Sequence, residues 1–168
     1  PRQLQADGLN TCVVQSLATT GLPADRLELE ITESVFIGDV ERTLQLLHAL
    51  KSLGVRVALD DFGTGYSSLA YLRSFPFDKL KIDQSFVRAL AEGGSAHAIV
   101  RAITTLADAL GIETLAEGVE TSADLESLRG IGCNMIQGYF ISRPVSSRDV
   151  PALLHSLAGS ADLHAHAA

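Results

Sequence analysis

Five short apolar or alternating segments, 26–33, 55–59, 79–83, 114–120 and 135–140, recur along the chain, each followed by a stretch with helical periodicity. Strands joined by helix-length crossovers pair in parallel rather than as hairpins, so this rhythm restricts the chain to α/β architectures. Such a sheet has to be covered by helices, which demands a sizeable apolar core. The chain has 168 residues, 46% of them hydrophobic, enough for one domain of this kind and too few for two ordinary ones. Neither an internal repeat nor a dividing linker is present. Five parallel strands fall short of the usual eight-stranded barrel, so the pattern implies either an open sheet or a piece of a closed one.

The intervening segments carry their own start and stop signals. Asn10-Thr11 is expected to cap a helix bearing Val13, Val14, Leu17 and Ala18, which Gly21-Leu22-Pro23 ends. Asp39 precedes Val40, Leu44, Leu47 and Leu50 at helical spacing, predicting a helix to about Leu53 that Gly54 closes. Ser67 or Ser68 is expected to cap a short helix that stops before Phe75-Pro76. A helix over 84–91, a break at 92–95 and a longer helix over 96–110 follow, the last with Ile99, Ile103, Leu106 and Leu110 as its apolar stripe. Thr121 or Ser122 should cap a helix ending at Gly130, and 147–157 predicts a final helix with Pro151 in its first turn. Residues 1–8 read as irregular and 159–168 as a disordered tail.

The chemistry concentrates at the ends of the predicted strands. Segment 55–59 runs into Asp60-Asp61 and then a loop with two glycines, Phe62-Gly63-Thr64-Gly65. Adjacent carboxylates repel unless a cation lies between them, so the pair reads either as a divalent-metal site or as a solvated turn. Segment 26–33 alternates, with Leu27, Leu29 and Ile31 on one face and Glu28, Glu30 and Thr32 on the other, while Glu33 starts the next loop. Lys79, Lys81 and Asp83 share one face of their strand, and Lys81, pointing among carboxylates, is placed to bind a phosphate or help deprotonate a water. Glu117, Glu120 and Gln137 complete the set, and Gly138 would let backbones approach closely. Hard oxygen donors gathered at separate strand ends suit a divalent ion, and two such ions would form a clamp for a phosphodiester.

Charge and cysteine usage set limits on partners and compartment. The net charge of −7, without any basic cluster, disfavours a nucleic acid duplex as a partner. Cys12 and Cys133 are distant in sequence and are expected to be buried free thiols in a reducing cytoplasm. No apolar run approaches the roughly 20 residues that cross a bilayer. His48 and His97 fall on predicted helices, where exposure is commoner than ligation.

Taken together, Glu-Ile-Thr-Glu at 30–33, Asp-Asp-Phe-Gly-Thr-Gly-Tyr-Ser-Ser-Leu at 60–69, Lys-Ile-Asp at 81–83, Ala-Glu-Gly-Val-Glu at 116–120 and Gln-Gly-Tyr at 137–139 resemble the EAL domain family. The resemblance implies a (β/α)8 TIM-like barrel and hydrolysis of cyclic di-GMP to 5′-pGpG with Mg2+ or Mn2+, two ions in all. It implies Glu30, Asp60, Asp61 and Glu117 as metal ligands, with Asp60 bridging, and Lys81 on the attacking water or scissile phosphate. Glu120, Gln137 and Asp83 would serve the substrate and its waters. Glu33, grouped with Lys81 and Glu117 as catalytic, would pin the loop from Asp61 to Ser68. The Glu-Ala-Leu tripeptide and the Asn-x-Ser segment of the family are missing, so 1–158 is expected to carry strands 4 to 8 of a barrel whose first three strands and two further metal ligands lie upstream.

The fragment alone is therefore expected to be inactive, the parent active. A cyclic di-GMP-binding module without turnover is the alternative, while a flavodoxin-like open sheet is disfavoured because no phosphate-binding glycine loop follows the first strand. By resemblance a homodimer is expected, as are upstream diguanylate cyclase-like (GGDEF), sensory or membrane segments, the last anchoring a cytoplasmic domain to the inner membrane.

Overall fold

The computed structural model describes residues 8–36, 39–63 and 69–158. Within them lie helix α1 (Leu9–Thr20), strand β1 (Glu28–Thr32), helix α2 (Val40–Ser52), strand β2 (Arg56–Phe62), the short helix α3 (Leu69–Ser74) and strand β3 (Lys79–Ile82). Helices α4 (Gln84–Glu92) and α5 (Ser95–Leu110), strand β4 (Glu113–Ala116), helix α6 (Ser122–Ile131), strand β5 (Met135–Ile136) and helix α7 (Val150–Ala158) complete the chain. All five strands pair in parallel in the order β1-β2-β3-β4-β5, so each βα unit adds its strand to the same growing edge. The fold is α/β, as the rhythm of the sequence predicts.

The two faces of the sheet differ in kind. On one, Ile31, Val57, Leu59, Leu80, Ile82 and Ala116 are buried under the helices together with Leu47 and Leu50 of α2 and Val100 and Ile103 of α5. Each fully buried leucine or isoleucine there contributes about 2 kcal/mol. On the other, the register sets Glu28 beside Arg56, Glu30 beside Ala58, Ala58 beside Lys79 and Lys79 beside Glu113, so charged residues line it from strand to strand. In a closed barrel that face is the interior.

Local chemistry accounts for the boundaries, including those the sequence misplaces. Asp39 caps α2 by accepting from Arg42 N–H, and Thr121 and Asp124 form a reciprocal capping box on α6. Gly8 rather than Asn10 precedes α1, whose start has no side-chain cap, and Asn10 lies inside the helix. Strand β4 stops at Ala116, two residues before Gly118 takes φ 71°, and β5 spans only Met135–Ile136, so both are shorter than their predicted segments. Helix α6 runs on to Ile131 and closes at Gly132, not Gly130. In α5 the buried stripe is Ala96, Val100, Ile103, Thr104 and Ala107, while Ile99 and Leu110 are exposed. The buried face of α5 thus mixes small residues with Val100 and Ile103. Cys133 is buried, which raises its thiol pKa, but Cys12 is exposed on α1. The expectations for 1–7, for the caps Ser67 and Ser68, and for the tail 159–168 fall outside the described residues.

Candidate metal centre

The C-terminal ends of β1 to β4 bring together most of the predicted residues. Lys81, at the centre of the sheet with a side chain only 6% exposed, places Nζ 2.8 Å from Glu30 Oε2, 2.9 Å from Asp60 Oδ1 and 2.8 Å from Glu117 Oε1. One nitrogen thus joins carboxylates from three other segments. Burial alone would lower the lysine's pKa, but its bonds to Glu117, Glu30 and Asp60 outweigh that and hold it above the ordinary lysine value, so it is charged.

Asp60 and Asp61 would point to opposite faces of a regular strand. Here β2 loses its even pairing with β3 between Leu59 and Phe62, and Asp61 takes φ 55°, the left-handed region that aspartate tolerates better than most residues. This irregularity turns Asp61 towards its neighbour, and oxygens of Asp60, Asp61 and Glu117 lie within 4.8 Å of one another. Burial and the charges of Asp60 and Asp83 raise the Asp61 pKa, as expected for a carboxylate facing others. Glu33, at the start of the turn after β1, is buried and accepts a 3.0 Å hydrogen bond from Gly63 N–H, tying the chain beyond Asp61 to β1. Gly63 packs so closely on Phe86 that a Cβ would lie 2.7 Å from the ring.

Beside this cluster opens a cavity of ≈ 300 Å³ lined by Gln84, Arg88, Glu117, Glu120, Gln137 and Tyr139. Its walls are clamped at two glycines. A Cβ on Gly118 would sit 2.6 Å from that of Gln84, and one on Gly138 would overlap the backbone of Val119. Val119 in turn donates to Gln137 O and accepts from Phe140 N–H, so the segments carrying Glu120 and Gln137 are locked together. Arg143 lies over the Tyr139 ring at 4.5 Å from its centroid.

Of the residues predicted as ligands, Asp60, Asp61 and Glu117 converge, whereas Glu30 reaches the group through Lys81. Glu120 and Gln137 line the adjoining cavity. Asp83 does not continue β3 but caps α4, accepting from Ser85 N–H, and those bonds outweigh burial to lower its pKa. The sequence reading passed over Gln84 and Arg88. Both face the cavity from the first turns of α4, four residues apart and directly after a strand end, which is the signal that would have found them. Arg88 also lies 3.8 Å from Glu120. The three converging oxygens are hard donors at a mutual spacing that a single divalent cation spans, so the residues present fit such an ion.

The structure is thus a five-stranded parallel sheet with carboxylates from separate strands and one lysine gathered at its strand ends. The EAL domain pattern matches residues 1–144, and the chain belongs to the EAL domain family. An uncharacterized signaling protein of Caulobacter vibrioides is 54% identical over 144 residues, covering 86% of this chain and 18% of the relative. The cyclic di-GMP phosphodiesterase NbdA of Pseudomonas aeruginosa is 45% identical over 133 residues, covering 79% of this chain and 17% of NbdA. The chain thus spans about a fifth of the length of the curated relatives it matches. Among solved structures, the PaMucR phosphodiesterase in complex with c-di-GMP superposes with a TM-score of 0.84 at 41% identity, covering 88% of this chain and 60% of that one. The manganese and cyclic di-GMP complex of Klebsiella pneumoniae BlrP1 superposes with a TM-score of 0.78 at 35% identity, covering 84% of this chain and 36% of that one.

Proposed function

We propose that this chain is the C-terminal part, strands 4 to 8, of an EAL phosphodiesterase domain that hydrolyses cyclic di-GMP to 5′-pGpG with Mg2+ or Mn2+. The observation that carries the reading is the convergence of Asp60, Asp61 and Glu117 oxygens beside a charged lysine, at the mouth of a cavity large enough for part of a nucleotide. Asp60, Asp61 and Glu117 would hold the metal, with Glu30 next to them and upstream residues completing a site for two ions. When bound, a divalent ion supplies positive charge to the phosphodiester oxygens and acidity to the attacking water.

The chain's own groups do the rest. Lys81 offers an ammonium that is charged across the physiological range and so binds a phosphate oxygen rather than accepting a proton. Glu120 and Gln137 offer an acceptor and a paired donor and acceptor to the water network and the substrate, from segments whose backbones are locked by Val119. Glu33, by holding Gly63, fixes the exit of β2 and with it the bulge that aims Asp61. Among the described residues no helix is long and apolar enough to cross a membrane; a cytoplasmic location of the domain is part of the proposal. Pairing as a homodimer and upstream GGDEF, sensory or membrane segments belong to the same proposal.

The test is to incubate the whole protein that carries this chain with cyclic di-GMP and follow 5′-pGpG. Turnover with Mg2+ or Mn2+ that a chelator abolishes is the expected result. Tight binding without any turnover under metal would overturn it in favour of a non-catalytic cyclic di-GMP-binding module.

A further inference from the structure

Arg88 takes no part in the hydrolysis as described, yet it lines the cavity from the second turn of α4, together with Glu120, Gln137 and Tyr139. Its guanidinium stands 3.8 Å from Glu120 Oε1, beyond hydrogen-bonding distance, and the two side chains are 65% and 53% exposed. An exposed pair at that separation contributes little to the fold, so neither group is spent on the other. The segment carrying Glu120 is fixed at Val119, which donates to Gln137 O and accepts from Phe140 N–H, and α4 meets it where Gly118 packs on Gln84. Carboxylate and guanidinium therefore line the cavity side by side from two anchored elements.

The chemistry of such a pair is selective. A carboxylate only accepts hydrogen bonds and a guanidinium only donates them, the latter as a planar fork. A phosphate would suit Arg88 and be repelled by Glu120. A purine that presents two donors next to two acceptors in one plane satisfies both, and guanine does so, with N1–H and N2–H beside O6 and N7. Adenine reverses the pattern, setting its N6 amino group against the guanidinium and its unprotonated N1 against the carboxylate.

We infer that Arg88 is a specificity-determining residue that forks onto O6 and N7 of one guanine of the substrate while Glu120 accepts from N1–H and N2–H. This names a base contact for the proposed hydrolysis of cyclic di-GMP and rests on that reading.

Steady-state kinetics of the whole protein with Mn2+ test it, using cyclic di-GMP, its 7-deaza analogue, which lacks the N7 acceptor, and its inosine analogue, which lacks the N2 amino group. R88A is expected to raise KM for cyclic di-GMP about tenfold, the loss of one bidentate contact, with kcat within about twofold of wild type. It should raise KM for the inosine analogue by the same factor, but for the 7-deaza analogue by less than about threefold, since the fork has already lost one of its two acceptors there. R88K, which keeps the charge and loses the fork, should lie closer to R88A than to wild type. Equal losses on all three substrates overturn the inference, because the arginine would then act by charge alone, and so does R88K or R88A with the KM of wild type for cyclic di-GMP. In those cases turnover by wild type leaves the phosphodiesterase reading standing. If wild type binds without turnover, that reading falls and the same ratios are read in Kd. Wild type that neither binds nor turns over any of the three overturns both readings together.

Discussion

The open face of the sheet carries charge at both ends, but only one end is balanced. Near the start of the strands, Glu28 and Glu113 face Arg56 and Lys79, two carboxylates against two cations. Lys79 binds Glu28 at 2.7 and 2.8 Å, Arg56 lies 3.4 Å from Glu28, and its guanidinium also hydrogen-bonds Glu113. That bond to Glu113 outweighs burial and raises the Arg56 pKa further. Below them Asp78 ties the sheet to α2, accepting from Lys51 and from Val57 N–H. At the other end Glu30, Asp60, Asp61 and Glu117 gather around a single Lys81. The balanced layer is complete as it stands and acts in folding. At the unbalanced end four carboxylates share one ammonium, so the acids there outnumber the cations that face them.

The sharpest way to break this contrast is Asp60→Asn at the unbalanced end. In the whole protein it removes a charged ligand shared by Lys81 and the metal triplet, and several kcal/mol of transition-state stabilisation correspond to a loss of turnover on the order of 10³. Cyclic di-GMP hydrolysis under saturating Mn2+ measures it. Turnover within about tenfold of wild type would show that the acids at this end are as structural as those at the other.

How far this contrast is legible in the sequence depends on which physical signal sets each part. The order and parallel pairing of the strands follow from crossover length, and the strand-end acids follow from where the apolar runs stop, so Glu30, Asp60, Lys81 and Glu117 are readable before any fold is known. What is hidden is tertiary. That Asp61 joins Asp60 depends on a bulge and a positive φ that the letters Asp-Asp do not announce. That Lys79 belongs to a closed ion layer while Lys81 belongs to the site depends on cross-strand register, which sets Lys79 beside Glu113 and Lys81 beside Leu115. On α5 Ile103 and Leu106 of the expected stripe pack into the core, but Ile99 and Leu110 are exposed, because the face turned to the core is completed by Ala96, Val100 and Ala107.

Lys79→Met addresses the balanced end. Its side chain is 14% exposed and that of Glu28 25%, so the variant leaves a partly buried carboxylate with only the more distant Arg56. A loss of about 2 kcal/mol in unfolding free energy is expected, read by urea denaturation, with Mn2+ affinity within about threefold of wild type. A variant that kept its stability and instead lost metal would reverse the assignment of the two ends.

The smallest effect, and the one with opposite signs in its two readouts, is Asp61→Asn. Burial and the neighbouring Asp60 and Asp83 raise the pKa of Asp61 in the folded chain, so the folded state favours the protonated acid. For a carboxyl group with a raised folded pKa, stability falls as pH climbs through the window between the unfolded and folded values. At neutral pH the ionised group is then a net burden on the metal-free fold. An uncharged amide of the same shape removes that burden, and asparagine tolerates the positive φ at least as well. With chelator present the variant is expected to melt at or slightly above the wild-type temperature at pH 7, with any difference shrinking as pH falls towards the ordinary aspartate range. It should also bind Mn2+ more weakly than wild type, because one of the three converging oxygens has lost its charge. A variant that melts lower at pH 7 would mean that the Asp61 carboxylate helps hold the bulge of β2 together, and that its charge is no burden on the fold.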